Sequence, residues 1–120
     1  MALRALLPAQ RHPPAALPDM RILVVDDDET DLRMVQRYLS AKLSPVVVDE
    51  AGTAAEALTK IESSSYHCVL LDYVLPDAHD LSLVKRIQTV APDLPIVMFT
   101  GRGDEDIAVE LMKVGVADYI

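Results

Sequence analysis

Three observations predict an α/β fold built on a parallel sheet. Short apolar runs recur at Ile22–Val25, Cys68–Leu71 and Ile96–Phe99, with amphipathic helical patterns between them. The run that follows His67 shows no polar alternation, which marks a central strand covered on both faces. Each run also stops at an oxygen-bearing side chain: Asp26-Asp27, Asp72 and Thr100. Alternating β and α units imply right-handed crossovers with helices on both sides of the sheet. The strand tips would then deliver carboxylates and a hydroxyl to the edge where open α/β sheets bind ligands.

The elements follow in order. Residues 1–20 carry Pro8, Pro13, Pro14 and Pro18 among alanines without periodicity, and read as a disordered leader. Met20 stands directly before the first strand and is an alternative start to Met1. After that strand, Leu32, Val35 and Leu39 mark the apolar face of a helix on which Glu29 and Arg33 are spaced to pair. Val46-Val47-Val48 forms a short strand after Pro45. Thr53-Ala54-Ala55-Glu56 is a capping box opening a second helix, with Leu58 and Ile61 inward. Leu81, Val84 and Ile87 define a third helix, stopped before Pro92, and Pro95 is tolerable as the first residue of the fourth strand. Ile107, Leu111 and Val114 line a fourth helix that Gly115 can end, and a fifth strand starts around Ala117.

Composition narrows the function classes. One hundred and twenty residues leave room for one domain. No apolar run approaches the roughly 20 residues needed to cross a bilayer. The lone cysteine, Cys68, cannot form an internal disulfide and lies within an apolar run, which suits a reducing cytoplasm. A net charge of −8 argues against direct nucleic-acid binding, since a phosphate backbone needs a basic patch. Much of that charge is concentrated in Asp26-Asp27-Asp28-Glu29-Thr30-Asp31.

Part of the acidic run has an ordinary explanation, because carboxylates cap helix N-termini and favour the positive end of the macrodipole. One cap suffices, however, and several like charges held together require a cation or strong donors. Asp72 ends the most apolar strand, four residues before Pro76 and five before Asp77, and does not read as a simple cap. Thr100 alone is an ordinary β residue. Together the set is chemically coherent. Hard oxygen ligands from Asp27, Asp72 and a loop carbonyl suit Mg²⁺, with Asp26 binding directly or through water. A carboxylate oxygen of Asp72 could then attack a phosphoryl group in line, and Thr100 would contact the product.

The segments RILVVDDDETDLRMV, VLLDYVLPD, IVMFTGRGDE and LMKVGVADYI resemble, in order and spacing, the receiver domain of two-component response regulators over residues 21–120. The resemblance implies a flavodoxin-like, doubly wound parallel sheet with strand order 2-1-3-4-5. It implies phosphorylation of Asp72 by a histidine kinase or phosphotransfer protein, and a surface change read by a downstream output domain or protein. It further implies Mg²⁺ bound by Asp26, Asp27, Asp72 and the Val74 carbonyl, and a switch coupling Thr100 to an aromatic, here Tyr119.

Departures from that pattern carry expectations of their own. Asp80 stands where receivers commonly carry Gly, and His79 replaces a frequent acid. Receivers also carry a Lys after the fifth strand and then a final helix, both expected beyond Ile120, so the chain reads as truncated at its C-terminus. Loss of that helix is expected to expose apolar surface and favour self-association, including a homodimer. Val74 is apolar and cannot orient an attacking water, so an acyl phosphate is expected to be lost slowly.

Two other function classes compete. A pseudo-receiver would use the same fold only for protein interaction or dimerisation. A small flavodoxin-like enzyme or nucleotide binder fits poorly, because no Gly-rich phosphate loop follows the first strand. An Asp-nucleophile phosphohydrolase would want an acid two residues after Asp72, where Val74 stands. The expectation is therefore a phosphoacceptor rather than an enzyme, acting in the cytoplasm with no membrane partner.

Overall fold

The computed structural model describes residues 20–43, 45–72, 75–77, 81–99, 110 and 112–119. The expected leader through residue 19, Val74, Thr100 and most of the expected fourth helix lie outside the described residues. The elements are β1 (Met20–Val25), α1 (Glu29–Leu43), β2 (Val46–Ala51), α2 (Ala54–Ser63), β3 (Cys68–Asp72), α3 (Ser82–Val90), β4 (Ile96–Phe99) and β5 (Asp118–Tyr119). Residues 110, 112 and 113 are helical as well.

The five strands form one parallel sheet in the order β2-β1-β3-β4-β5, the order that the resemblance to receiver domains implies. The register fixes which tips meet. Val25 pairs with Ala51 on one side and with Leu71 on the other, while Asp72 pairs with Phe99. One step past Val25, Asp26 donates its N–H to the Ala51 carbonyl at 2.9 Å, so the ladder carries it to the mouth of the sheet beside Asp72.

Alternation in the strands divides the core in two. Leu23, Val25, Val69, Leu71, Ile96 and Met98 face α2 and α3 and pack with Ala57, Leu58, Ile61, Val84 and Ile87. Ile22, Val24, Cys68, Leu70 and Val97 face the other way, in one cluster with Leu39 and Leu43 of α1. On that second face Cys68, Leu70 and Val97 are no more than 2% exposed. They belong to the same buried cluster as the α1 leucines.

Local signals behave largely as predicted. The Thr53 hydroxyl accepts from the Glu56 N–H at 3.1 Å and caps α2. The Glu56 carboxylate pairs with Lys60 at 3.4 Å, one turn further along. Glu29 and Arg33 lie 3.8 Å apart on the exposed face of α1, a contact worth little in solvent. Gly115 adopts φ +93°, a left-handed backbone that glycine tolerates, and Gln88 of α3 donates to the neighbouring Val114 carbonyl at 2.7 Å. That contact ties α3 to the turn that leads into β5.

Candidate functional site

The acid run divides by role once the backbone is in place. Asp28 caps α1, its Oδ1 accepting from the Thr30 N–H at 2.8 Å and the Asp31 N–H at 3.3 Å. Asp26 and Asp27 precede that cap, and Asp72 reaches the same point from the end of β3. Each of the three offers a carboxylate oxygen, and these oxygens all lie within 4.8 Å of one another.

Burial differs sharply among them. Asp26 is 1% exposed, Asp72 is half-buried and Asp27 is exposed. Asp26 Oδ1 accepts from the Asp28 N–H at 3.0 Å, but its buried Oδ2 has no hydrogen-bond donor among the described residues. Burial pushes the Asp26 carboxyl up to about 7, the Asp28 N–H opposes that shift, and the neighbouring charges of Asp72 and Asp31 reinforce it. A buried carboxylate without a donor is costly unless a cation meets it. Closely spaced hard oxygens on a partly open edge fit a small divalent cation such as Mg²⁺, which keeps part of its water shell.

An open, mostly polar cavity of about 580 Å³ adjoins the cluster, lined by Asp26, Asp27, Glu50, Gly52, Glu56 and Lys60 among others. Lys60 is the cation in that lining, and it is engaged by the Glu50 carbonyl and the Glu56 carboxylate. The cluster therefore keeps its negative charge.

The comparisons with known proteins agree with this fold. The family described as response regulator receiver domain matches residues 22–120. The chain belongs to that family. It is 31% identical over 102 residues to the transcriptional regulatory protein ResD of Bacillus subtilis, covering 85% of this chain and 41% of ResD. It is 31% identical over 99 residues to SrrA of Staphylococcus aureus, covering 82% of this chain and 40% of that protein. The receiver thus spans about two fifths of the length of these regulators. Among solved structures it is similar to a CheY-like receiver domain protein from Methanospirillum hungatei, at 31% identity and a TM-score of 0.76 over 86% of this chain and 81% of that one. The non-phosphorylated HemR receiver domain of Leptospira biflexa is similar at 27% identity and a TM-score of 0.75, over 85% and 81%. Receiver domains are signalling domains of two-component systems, in which phosphorylation and magnesium are typical.

Of the residues singled out in the sequence, the receiver fold brings Asp26, Asp27 and Asp72 together. Val74 and Thr100 lie outside the described residues, although Phe99, the neighbour of Thr100, pairs with Asp72. Tyr119 pairs with Met98 in the backbone of β5, one strand removed from β3. Sequence reasoning missed Asp77, whose carboxylate reaches back to the N-terminus of α2. An acid directly after Pro76 reads as a turn residue, and nothing in the sequence shows that the turn meets a helix more than 20 positions earlier. Among the described residues no helix is long and apolar enough to cross a membrane.

Proposed function

We propose that this receiver is a phosphoryl-accepting switch in which Asp72 takes a phosphoryl group from a histidine kinase or phosphotransfer protein. The observation that carries the reading is the buried Asp26 Oδ2, which lacks a donor and lies in the same carboxylate cluster as Asp72. Fold stability alone gives no reason to keep such a group.

Asp26 and Asp27 would hold Mg²⁺ together with Asp72, and the Val74 carbonyl would complete the protein ligands. When bound, the ion offsets charge on the non-bridging oxygens of the arriving phosphoryl group. Asp72 acts as nucleophile, being the member of the trio at the strand tip that is neither buried nor fully exposed. A new bond forms from its carboxylate oxygen to phosphorus while the P–N bond of a phosphohistidine breaks. The electron pair of that bond leaves with the imidazole, and an acyl phosphate results. The modification replaces a singly charged carboxylate with an acyl phosphate of nearly two charges, a net gain of about one negative charge, and adds several acceptor oxygens. Thr100 contacts the phosphoryl group, Tyr119 follows it, and a downstream output domain or protein reads the altered surface. The acidity of the chain supports a protein partner over direct contact with nucleic acid, and the setting proposed is cytoplasmic.

Incubation with Mg²⁺ and acetyl phosphate, followed by intact-mass measurement, tests this. One phosphoryl mass should appear on the wild-type chain, disappear with EDTA and be absent in Asp72→Asn. A chain that binds no Mg²⁺ and gains no mass would instead be a pseudo-receiver, working as an interaction or dimerisation module.

A further inference from the structure

The N-terminus of α2 is bonded by a carboxylate from a distant part of the chain. Thr53, its own cap, takes the Glu56 N–H. The two N–H groups before that one, on Ala54 and Ala55, donate to Asp77 Oδ1 at 2.7 Å and Oδ2 at 3.1 Å. The N–H groups of Ala54, Ala55 and Glu56 are thus met by two side chains, one local and one from the loop after β3. Asp77 is exposed, so its carboxylate could be hydrated without penalty and adds little as a plain stabiliser.

Geometry gives the contact another use. Leu75, two residues earlier, is 4% exposed and belongs to the same buried cluster as Ala54. The loop is therefore fastened by an apolar side chain to the core beside α2 and by a carboxylate to the start of that helix. Only Tyr73 and Val74 separate Leu75 from Asp72, and a stretch that short spans at most about 3.6 Å per residue. On its other side, α2 is joined to the site through Gly52, where an added Cβ would stand 4.0 Å from the Asp26 carbonyl oxygen, and through Ala51, which accepts from the Asp26 N–H. The start of α2 is thus tied to the segment after Asp72 and to the backbone of Asp26.

We propose that Asp77 is a positioning residue: by clamping the loop after Asp72 to the start of α2, it sets the spacing at which the three carboxylates receive their cation. This rests on the reading of the cluster as a Mg²⁺ and phosphoryl site. The Ala54 N–H holds the Asp77 carboxyl below the ordinary carboxylate range, so the clamp stays charged at neutral pH. Cation binding and the Asp77 contact are then linked, and each strengthens the other.

The test is Mg²⁺ titration by calorimetry of the wild-type chain, Asp77→Ala, Asp77→Asn and Thr53→Ala. Thr53→Ala removes the other cap of the same helix without touching the loop, and so reports what a weakened helix end does by itself. Asp77→Ala should weaken Mg²⁺ binding about fivefold or more. Asp77→Asn, with one carboxylate oxygen replaced by an amide, should fall between it and wild type, and it serves if Asp77→Ala does not fold. Thr53→Ala should bind within about twofold of wild type. The Ala54 and Ala55 amide resonances should shift on adding Mg²⁺ to wild type, and should shift less in Asp77→Asn. Unchanged Mg²⁺ affinity in folded Asp77→Ala or Asp77→Asn, or an equal loss in Thr53→Ala, would overturn this proposal alone. No Mg²⁺ uptake by wild type would overturn the reading of the site and this proposal with it.

Discussion

Toward the starts of β1 and β3, Arg21, Asp49 and Tyr66 form a polar group in which the charges are met. Asp49 Oδ2 accepts from Arg21 Nη2 at 3.1 Å and from the Tyr66 hydroxyl at 2.7 Å, and the guanidinium lies 5.4 Å from the centre of the tyrosine ring. The Arg21 N–H also donates to His67 Nδ1 at 2.9 Å, where the imidazole takes the place of a strand carbonyl. At the C-terminal tips of the same strands, Asp26, Asp27 and Asp72 stand together and the Asp26 Oδ2 is buried with no donor among the described residues. One group is partly in water with its opposite charges paired; the other gathers three acids and includes a fully buried oxygen left open. Paired charges mark the first as structural, and like charges gathered around an unmet oxygen mark the second as a place meant for a cation.

The largest effect expected from this contrast is at Asp26. At about pH 8 with EDTA, Asp26→Asn should stabilise the chain by about 1–3 kcal/mol in urea denaturation, because it removes an unmet buried charge. The new amide keeps an acceptor for the Asp28 N–H and can donate toward Asp72. The same variant should lose Mg²⁺ affinity by at least about tenfold, since even partners outside the ligand sphere carry that much. Destabilisation of the metal-free protein by Asp26→Asn would dissolve the contrast, because the carboxylate would then be serving the fold.

Asp49→Ala supplies the opposite sign. It strips Arg21 and Tyr66 of their shared acceptor and should destabilise by about 1 kcal/mol, a figure kept low because both partners of the ion pair are partly solvated. Asp49 also lines the cavity beside the cluster, but it is not one of the three clustered acids, so Mg²⁺ affinity should change far less than in Asp26→Asn. A loss of Mg²⁺ affinity as large as that of Asp26→Asn would show that the two groups act as one.

The same contrast shows which parts of the molecule were legible in the sequence. Strand identity and the convergence of Asp26, Asp27 and Asp72 follow from where apolar runs stop, because a parallel sheet places all its C-terminal tips on one edge; strand order came only with the resemblance to receiver domains. The helix faces follow from periodicity, and the α2 cap from Thr53 and Glu56 three apart. Asp28 was readable as one cap among several acids, and backbone geometry was needed to assign it. Arg21, Asp49 and Tyr66 were not legible together, since their meeting depends on the pairing register of β1 with β2 and on a loop approach that leaves no sequence period. Asp77 escaped for the same reason: its partners are 22 and 23 positions away. Long-range polar contacts carry no repeating pattern, whereas apolar contacts do.

The smallest effect is also the one with the most distinctive shape. Tyr66→Phe removes the hydroxyl that Asp49 accepts but keeps the ring beneath the Arg21 guanidinium, so near neutral pH it should cost about 0.5–1 kcal/mol. The Tyr66 hydrogen bond is the leading reason that the Asp49 carboxyl lies below its ordinary value of 3.8. A lowered folded value means that the stability it contributes is present above 3.8 and lost as pH falls through the folded value. Tyr66 itself is pushed up to about 12 from 10.0, first by burial and then by its bond to Asp49. Its contribution is therefore present below pH 10 and lost as pH rises toward 12. The stability difference between wild type and Tyr66→Phe should accordingly be widest at neutral pH and narrow at both extremes, as measured by denaturation across the pH range. A difference that stays constant with pH would mean that what the hydroxyl contributes does not depend on the charge of Asp49, and the pairing of the two groups would then carry none of it.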